Sequence, residues 1–257
     1  MKAIYERELK SYFYSMTGYV FIAFVTMFIG IYFMVYNMIN GYPYFSYTLS
    51  STLMILMIAV PILTMRSMSD ERRSRTDQML LTAPVSVWDI VLGKYLSMVT
   101  IFAIPMAIAC LCPLIIKANG TAYLAEDYAS ILAFFLMGCV YIAIGLFISS
   151  LTESQLIAAA GTFGILLLLI LWPGLLNFLP TTAYGSLAGL LILWSLVCFI
   201  LYRLTGHIPL SLGLEILGAA GLIGTYLINQ RLLEHGLKDI LEKIVLTDVF
   251  DSIVMPF

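Results

Sequence analysis

Ser130-Ile-Leu-Ala-Phe-Phe-Leu-Met-Gly-Cys-Val-Tyr-Ile-Ala-Ile-Gly-Leu-Phe-Ile-Ser-Ser-Leu151 contains no charged residue from end to end. As a helix at 1.5 Å per residue it is about 33 Å long, enough to cross a hydrocarbon core of roughly 30 Å. Lipid offers backbone N–H and C=O groups no partner, and a helix satisfies them all internally. The stretch therefore predicts a membrane-spanning helix. Six more runs have the same character, at roughly 18–39, 48–65, 96–116, 156–176, 184–202 and 210–228, and only the last holds a charge, Glu215. Together the seven occupy more than half the chain, which leaves no room for a folded soluble domain. The fold class expected is an all-α integral membrane protein, a polytopic helical bundle making one transmembrane domain over 1–257.

Composition agrees. The chain is 61% apolar and 11% charged, with mean hydropathy +0.99, against roughly half and a quarter in soluble domains. Lys and Arg number 13 against 15 Asp and Glu, a net charge of −2, and charge so sparse and balanced argues against nucleic acid as a partner. Cys110, Cys112, Cys139 and Cys198 all lie in apolar runs with no His beside them, which gives neither a zinc spacing nor a disulfide framework. The two histidines, His207 and His235, fall in separate loops on opposite sides of the bilayer, so the clustered acid–base groups of a lipid-modifying enzyme are not expected.

Orientation follows from the basic residues. With the N-terminus in the cytoplasm, the inner segments hold Lys2, Arg7, Lys10, Arg66, Arg72, Arg73, Arg75, Lys94 and Arg203; the outer ones hold Lys117, Arg231, Lys238 and Lys243. This is the positive-inside pattern. The outer loop 40–47 carries Tyr42, Tyr44, Phe45 and Tyr47, suited to a membrane–water interface. Seven spans leave 229–257 outside, and the expectation is a further outward-to-inward span beyond Phe257.

Before the first span, residues 1–16 read as an amphipathic elbow helix lying on lipid, with Tyr5, Leu9, Tyr12, Phe13 and Met16 on one face and Glu6, Lys10 and Ser11 elsewhere. The long inner connection 66–94 begins with charges. It continues into a short helix bearing Met79, Leu80 and Leu81, broken by Pro84, and Ser86 caps the helix that leads into the third span. A short helix with both charges and an exposed apolar patch fits a protein partner. Pro61, Pro105, Pro113 and Pro173 permit kinks. Gly185 with Gly189, and Gly218, Gly221 and Gly224, suit close helix approach.

Three patches carry a resemblance. They are Arg75-Thr-Asp-Gln-Met-Leu-Leu-Thr-Ala-Pro-Val-Ser86 with Leu92-Gly-Lys94, the link Ser149-Ser-Leu-Thr-Glu-Ser-Gln-Leu-Ile-Ala-Ala159, and Phe250-Asp-Ser252. In this order of spans the chain resembles the permease subunits of ABC-2 type transporters, most of all the gliding-motility-associated branch. The resemblance implies a bacterial plasma-membrane subunit, an exporter, paired with a second permease as homo- or heterodimer and with membrane lipids. It also implies an extracytoplasmic accessory protein among the partners. Cytoplasmic ATPase subunits would hold the ATP and Mg, this chain holding no cofactor and no metal; no Gly-x-x-x-x-Gly-Lys-Ser/Thr loop occurs in it. It further implies that 70–83 is a coupling helix, with Asp70, Glu71, Arg72, Arg73, Arg75, Thr76, Asp77, Met79, Leu80, Leu81 and Pro84 meeting the ATPase. Thr152, Glu153 and Gln155 would form a second cytoplasmic contact. The competing reading is an ion- or proton-coupled secondary transporter built on Glu215, an ionisable group inside a span. It lacks a second intramembrane acid and the internal repeat such carriers show.

Overall fold

The structure is a computed structural model and describes residues 2–75 and 86–176, with isolated helical positions at 185, 187, 191, 194 and 195. Two compact units divide the chain near Ile170; the description below concerns the first. The sixth and seventh predicted spans, with Glu215 and the segment 229–257, lie outside the described residues.

Most of the described residues are helical, and none is in a strand. They form α1 (Lys2–Tyr14), α2 (Met16–Phe33), α3 (Ser46–Thr64), α4 (Ser69–Arg73), α5 (Val87–Ala109), α6 (Cys112–Asn119), α7 (Leu124–Leu151) and α8 (Gln155–Leu176). Five stretches are long and apolar enough to cross a membrane: Met16–Ile39, Ser46–Arg73, Val87–Asn119, Leu124–Leu151 and Gln155–Trp172. The chain is thus an all-α polytopic membrane protein, and the first five predicted spans fall on these helices.

Two helices start earlier than their apolar runs. Ser86 Oγ accepts the Asp89 N–H at 3.2 Å, the cap expected for the third span, and α5 then continues unbroken through Lys94. Similarly α7 begins at Leu124, because Glu126 and Asp127 sit in its first turn, where carboxylates favour the positive end of the helix dipole. Helices α3 and α5 run through Pro61 and Pro105; the break comes at Cys110–Leu111, and Pro113 opens α6. A feature not foreseen is the π-helical turn Met34–Ile39 that ends the first span.

Helices α2, α3, α7 and α5 pack around a shared core, each touching the next. Phe21, Val25, Leu49, Leu56, Val60, Met98, Phe102, Phe134 and Tyr141 are all buried, with the Phe102 ring against those of Phe21 and Phe134. Lipid tails are as apolar as these side chains, so close packing and small residues hold the bundle rather than escape from water. Gly138 faces the Phe102 ring and Gly145 faces Thr64, with no room for a Cβ at either.

The elbow helix α1 lies against α5. Its buried side chains are Ile4 and Tyr12; of the expected apolar face Tyr5, Leu9 and Phe13 are half-buried and Met16 is exposed, and Glu6, Lys10 and Ser11 are exposed. The helix ends at Tyr14, and extended Ser15 (φ −86°, ψ 150°) turns the chain before Met16, which removes Met16 from the α1 register. At that turn a Cβ on Gly18 would stand 2.7 Å from the Tyr12 carbonyl oxygen.

Candidate functional site

The end of the bundle that carries the N-terminus gathers most of the charges. Helical spacing in α5 turns Ile90, Gly93, Lys94 and Ser97 inward together. Gly93 lets the elbow helix come down onto α5, since a Cβ there would lie 3.1 Å from Ile4 Cγ2. Tyr5 Oη and Thr100 Oγ1, 3.0 Å apart, add a second tie between the two helices.

Lys94, beside Gly93, is 1% exposed. Its ammonium donates to Glu71 Oε1 at 2.8 Å and to the Ser67 carbonyl at 3.0 Å, and pairs with Glu8 Oε1 at 3.3 Å. Arg7 closes the ring, donating to Glu8 Oε1 at 2.7 Å and Glu71 Oε1 at 3.2 Å. Two cations and two carboxylates from α1, α4 and α5 thus neutralise one another. A buried ammonium is tolerable only when paired and hydrogen-bonded in this way. The Arg7 guanidinium is held above its ordinary value, first by the hydrogen bond to Glu8, against partial burial, with Glu71 adding to the rise. Burial likewise pushes the Tyr12 phenol up, and its hydroxyl donates to the Leu63 carbonyl at 3.3 Å. A cavity of 390 Å³ opens beside the cluster, lined among others by Arg7, Glu8, Tyr12, Arg66, Asp70 and Lys94.

Helix α4 is a single turn, and such a turn leaves its first N–H groups without intrahelical partners. Ser149 of α7 supplies the cap from across the bundle: its Oγ accepts from the Met68 and Ser69 N–H groups at 3.2 and 3.3 Å. The Ser69 hydroxyl donates in turn to the Met65 carbonyl. Asp70 accepts from Arg66 Nε at 3.3 Å and from Gln155 Nε2. Ser74 closes the turn, its Oγ donating to the Asp70 carbonyl at 2.7 Å. Arg75 follows at φ +55°, a left-handed conformation uncommon outside glycine.

Of the residues expected to meet a partner, Asp70 and Glu71 are turned toward the protein, whereas Arg72, Arg73 and Arg75 are exposed. Thr76, Asp77, Met79, Leu80, Leu81 and Pro84 lie outside the described residues. In the second link Thr152 Oγ1 accepts the Ser154 N–H at 3.2 Å, Glu153 is exposed, and Gln155 reaches Asp70. The two stretches singled out in the sequence therefore touch. At the start of α5, Val87 and Trp88 are 59% and 77% exposed. Among the described residues no group of three or more His, Cys, Asp or Glu is placed to hold a metal ion.

Lys94 and Glu8 were missed as partners. Lys94 counts in the sequence as one more inner cation, and only its place one turn inside a capped helix, next to a glycine, hints that it faces inward.

A family model described as ABC-2 family transporter protein matches residues 3–216. No curated protein and no solved structure gives a match.

Proposed function

The chain belongs to the ABC-2 transporter family, and from that premise we propose that it couples ATP hydrolysis in a separate cytoplasmic ATPase to export across the bacterial plasma membrane. It pairs with a second permease subunit, and its N-terminus faces the cytoplasm, as the basic residues of its short loops favour. The ATP and Mg belong to the ATPase. The gliding-motility-associated branch is the nearest resemblance in the sequence.

One observation carries the reading. The root of the 70–83 loop is fastened from several sides, by α1 and α5 through Glu71, by α7 through Ser149 and by the start of α8 through Asp70, while Arg72, Arg73 and Arg75 point away from the protein. A segment held at its base and basic on its free side suits a docked, acidic cleft. Rigid hold is also what coupling requires, because a displacement of the loop reaches the spans only if the joint does not give.

The test is purification in mild detergent and identification of what co-elutes; an ATPase subunit is expected. Buried apolar side chains contribute about 1.5–3 kcal/mol each and exposed ion pairs about 0–1. Replacing Leu80 and Leu81 by Ser should therefore strip the ATPase from the complex, and reversing Arg72 and Arg73 should weaken it less, by an amount that shrinks as salt rises. Undiminished ATPase with the double Ser variant would remove 70–83 from the interface. Labelling of cysteines in 70–83 from outside sealed cells would invert the topology.

A further inference from the structure

We propose that Lys94 is a positioning residue for coupling, a buried clamp that makes the elbow helix, the root of the 70–83 loop and the third span move as one body. The inference rests on the reading of 70–83 as the coupling loop and adds to it which elements receive the motion.

The ties at the root differ in kind. To α7 they run through the neutral Ser149 hydroxyl, and to α8 through one carboxamide, that of Gln155, on the half-exposed Asp70 carboxylate. To α5 and α1 they run through an ammonium with three oxygen partners, one on each of α1 and α4 and one on the backbone just before α4. Hydrogen bonds between charged partners are about twice as strong as neutral ones, and this one is shielded from water. Geometry adds to the asymmetry: Gly93 brings α1 into direct contact with α5, and Tyr5 with Thr100 fixes the angle between them. A pull on α4 is therefore passed to α5 and α1 together, while the ties to α7 and α8, a neutral hydroxyl and one carboxamide, are the ones that can exchange partners. Glu8 joins the elbow to Lys94, with Arg7 reaching Glu71 from the same helix, and Lys94 is common to all three.

Hydrogen–deuterium exchange on the complete permease–ATPase complex tests this, without nucleotide and trapped with ATP and vanadate. In the wild type, trapping should change exchange in Lys2–Tyr14 and in the first turns of α5 together. Glu8→Ala should speed basal exchange in Lys2–Tyr14 by roughly tenfold, the equivalent of losing one or two kcal/mol of local stability. It should also abolish the nucleotide response of α1 and leave that of α5. Lys94→Met should abolish both, with the ATPase still co-eluting. A clamp with only a structural role would raise basal exchange and keep the nucleotide response, and persistence of the α1 response in Glu8→Ala overturns the proposal. Should Lys94→Met fail to fold, Glu8→Ala decides alone. If no ATPase co-elutes with the wild type, the coupling reading fails; basal exchange in the isolated permease then still reports whether Glu8 and Lys94 join α1 to α5, and unchanged exchange there refutes the clamp.

Discussion

The two ends of the bundle are closed by different chemistry. At the N-terminal end, side chains meet side chains: Arg7, Glu8, Glu71 and Lys94 share charge across three helices. At the far end, side chains meet backbone. Asn37, on the π-helical turn, donates to the Tyr42 and Tyr44 carbonyls at 2.9 and 3.0 Å and accepts from Thr48 Oγ1 at 2.8 Å. Asp127, also 1% exposed, accepts the Phe45 N–H at 2.8 Å at the start of α3. A carboxylate or amide bonded to backbone fixes one loop conformation. Long charged side chains joined to one another hold elements together while allowing the elements to shift as a group. The far end is built as a fixed lid on the loop, the near end as a joint.

The largest effect expected from breaking this contrast is at the joint. Lys94→Met leaves two carboxylates facing one half-exposed arginine, and breaking a buried ion pair from one side costs about 3–5 kcal/mol. The thermal unfolding midpoint of the purified protein should fall further than for any single substitution at the far end; a fall no larger than that of Asp127→Ala would remove Lys94 from the centre of the cluster. Asp127→Ala strands the Phe45 N–H and should cost about 1–3 kcal/mol. That loss should be the same in low and high salt, unlike that of Arg7→Gln, whose exposed side is screened. Third in size is the coupling between Asn37→Leu and Asp127→Ala. Both hold the same loop, so their combined effect should depart from the sum by about 0.5 kcal/mol or more, and strict additivity would mean that the loop is not one unit. The smallest effect belongs to Glu6→Gln, which removes an exposed pair with Lys2 at 3.9 Å. It should change stability by less than about 0.5 kcal/mol.

Legibility in the sequence followed the same division. The spans were readable because lipid imposes one demand on every residue of a run, uncharged for about 20 positions, and the Ser86 cap because capping is a local event. The apolar face of the elbow helix was readable from Tyr5 to Phe13, and Met16 left it because the extended Ser15 ends the 3.6-residue register of α1. Asn37 gave no sign of its role: the π-turn that brings it over the loop has no compositional signature. Ser149 stood in one of the stretches singled out, yet its part as a cap for a helix some 80 positions earlier depends on tertiary contact alone. Lys94 was counted for its charge and its place in a loop, whereas its meaning comes from two carboxylates distant in the chain. Of the stretch 70–75 the charges were legible, and its division into inward acids and outward arginines required the fold.

Gly93 also sets an order of events during synthesis. The elbow helix leaves the ribosome ahead of the surface it packs on, because that surface and the ammonium that neutralises Glu8 lie on α5, roughly 86 residues later. At about 5–20 residues per second the interval is roughly 4–17 seconds. Through that time α2 and α3 can enter the bilayer while α1 waits at the membrane surface with Arg7 as the neighbour of Glu8, and the arrival of the third span is what seats it. The elbow helix, made before the four helices of the core, is thus among the last parts of this bundle to reach its place.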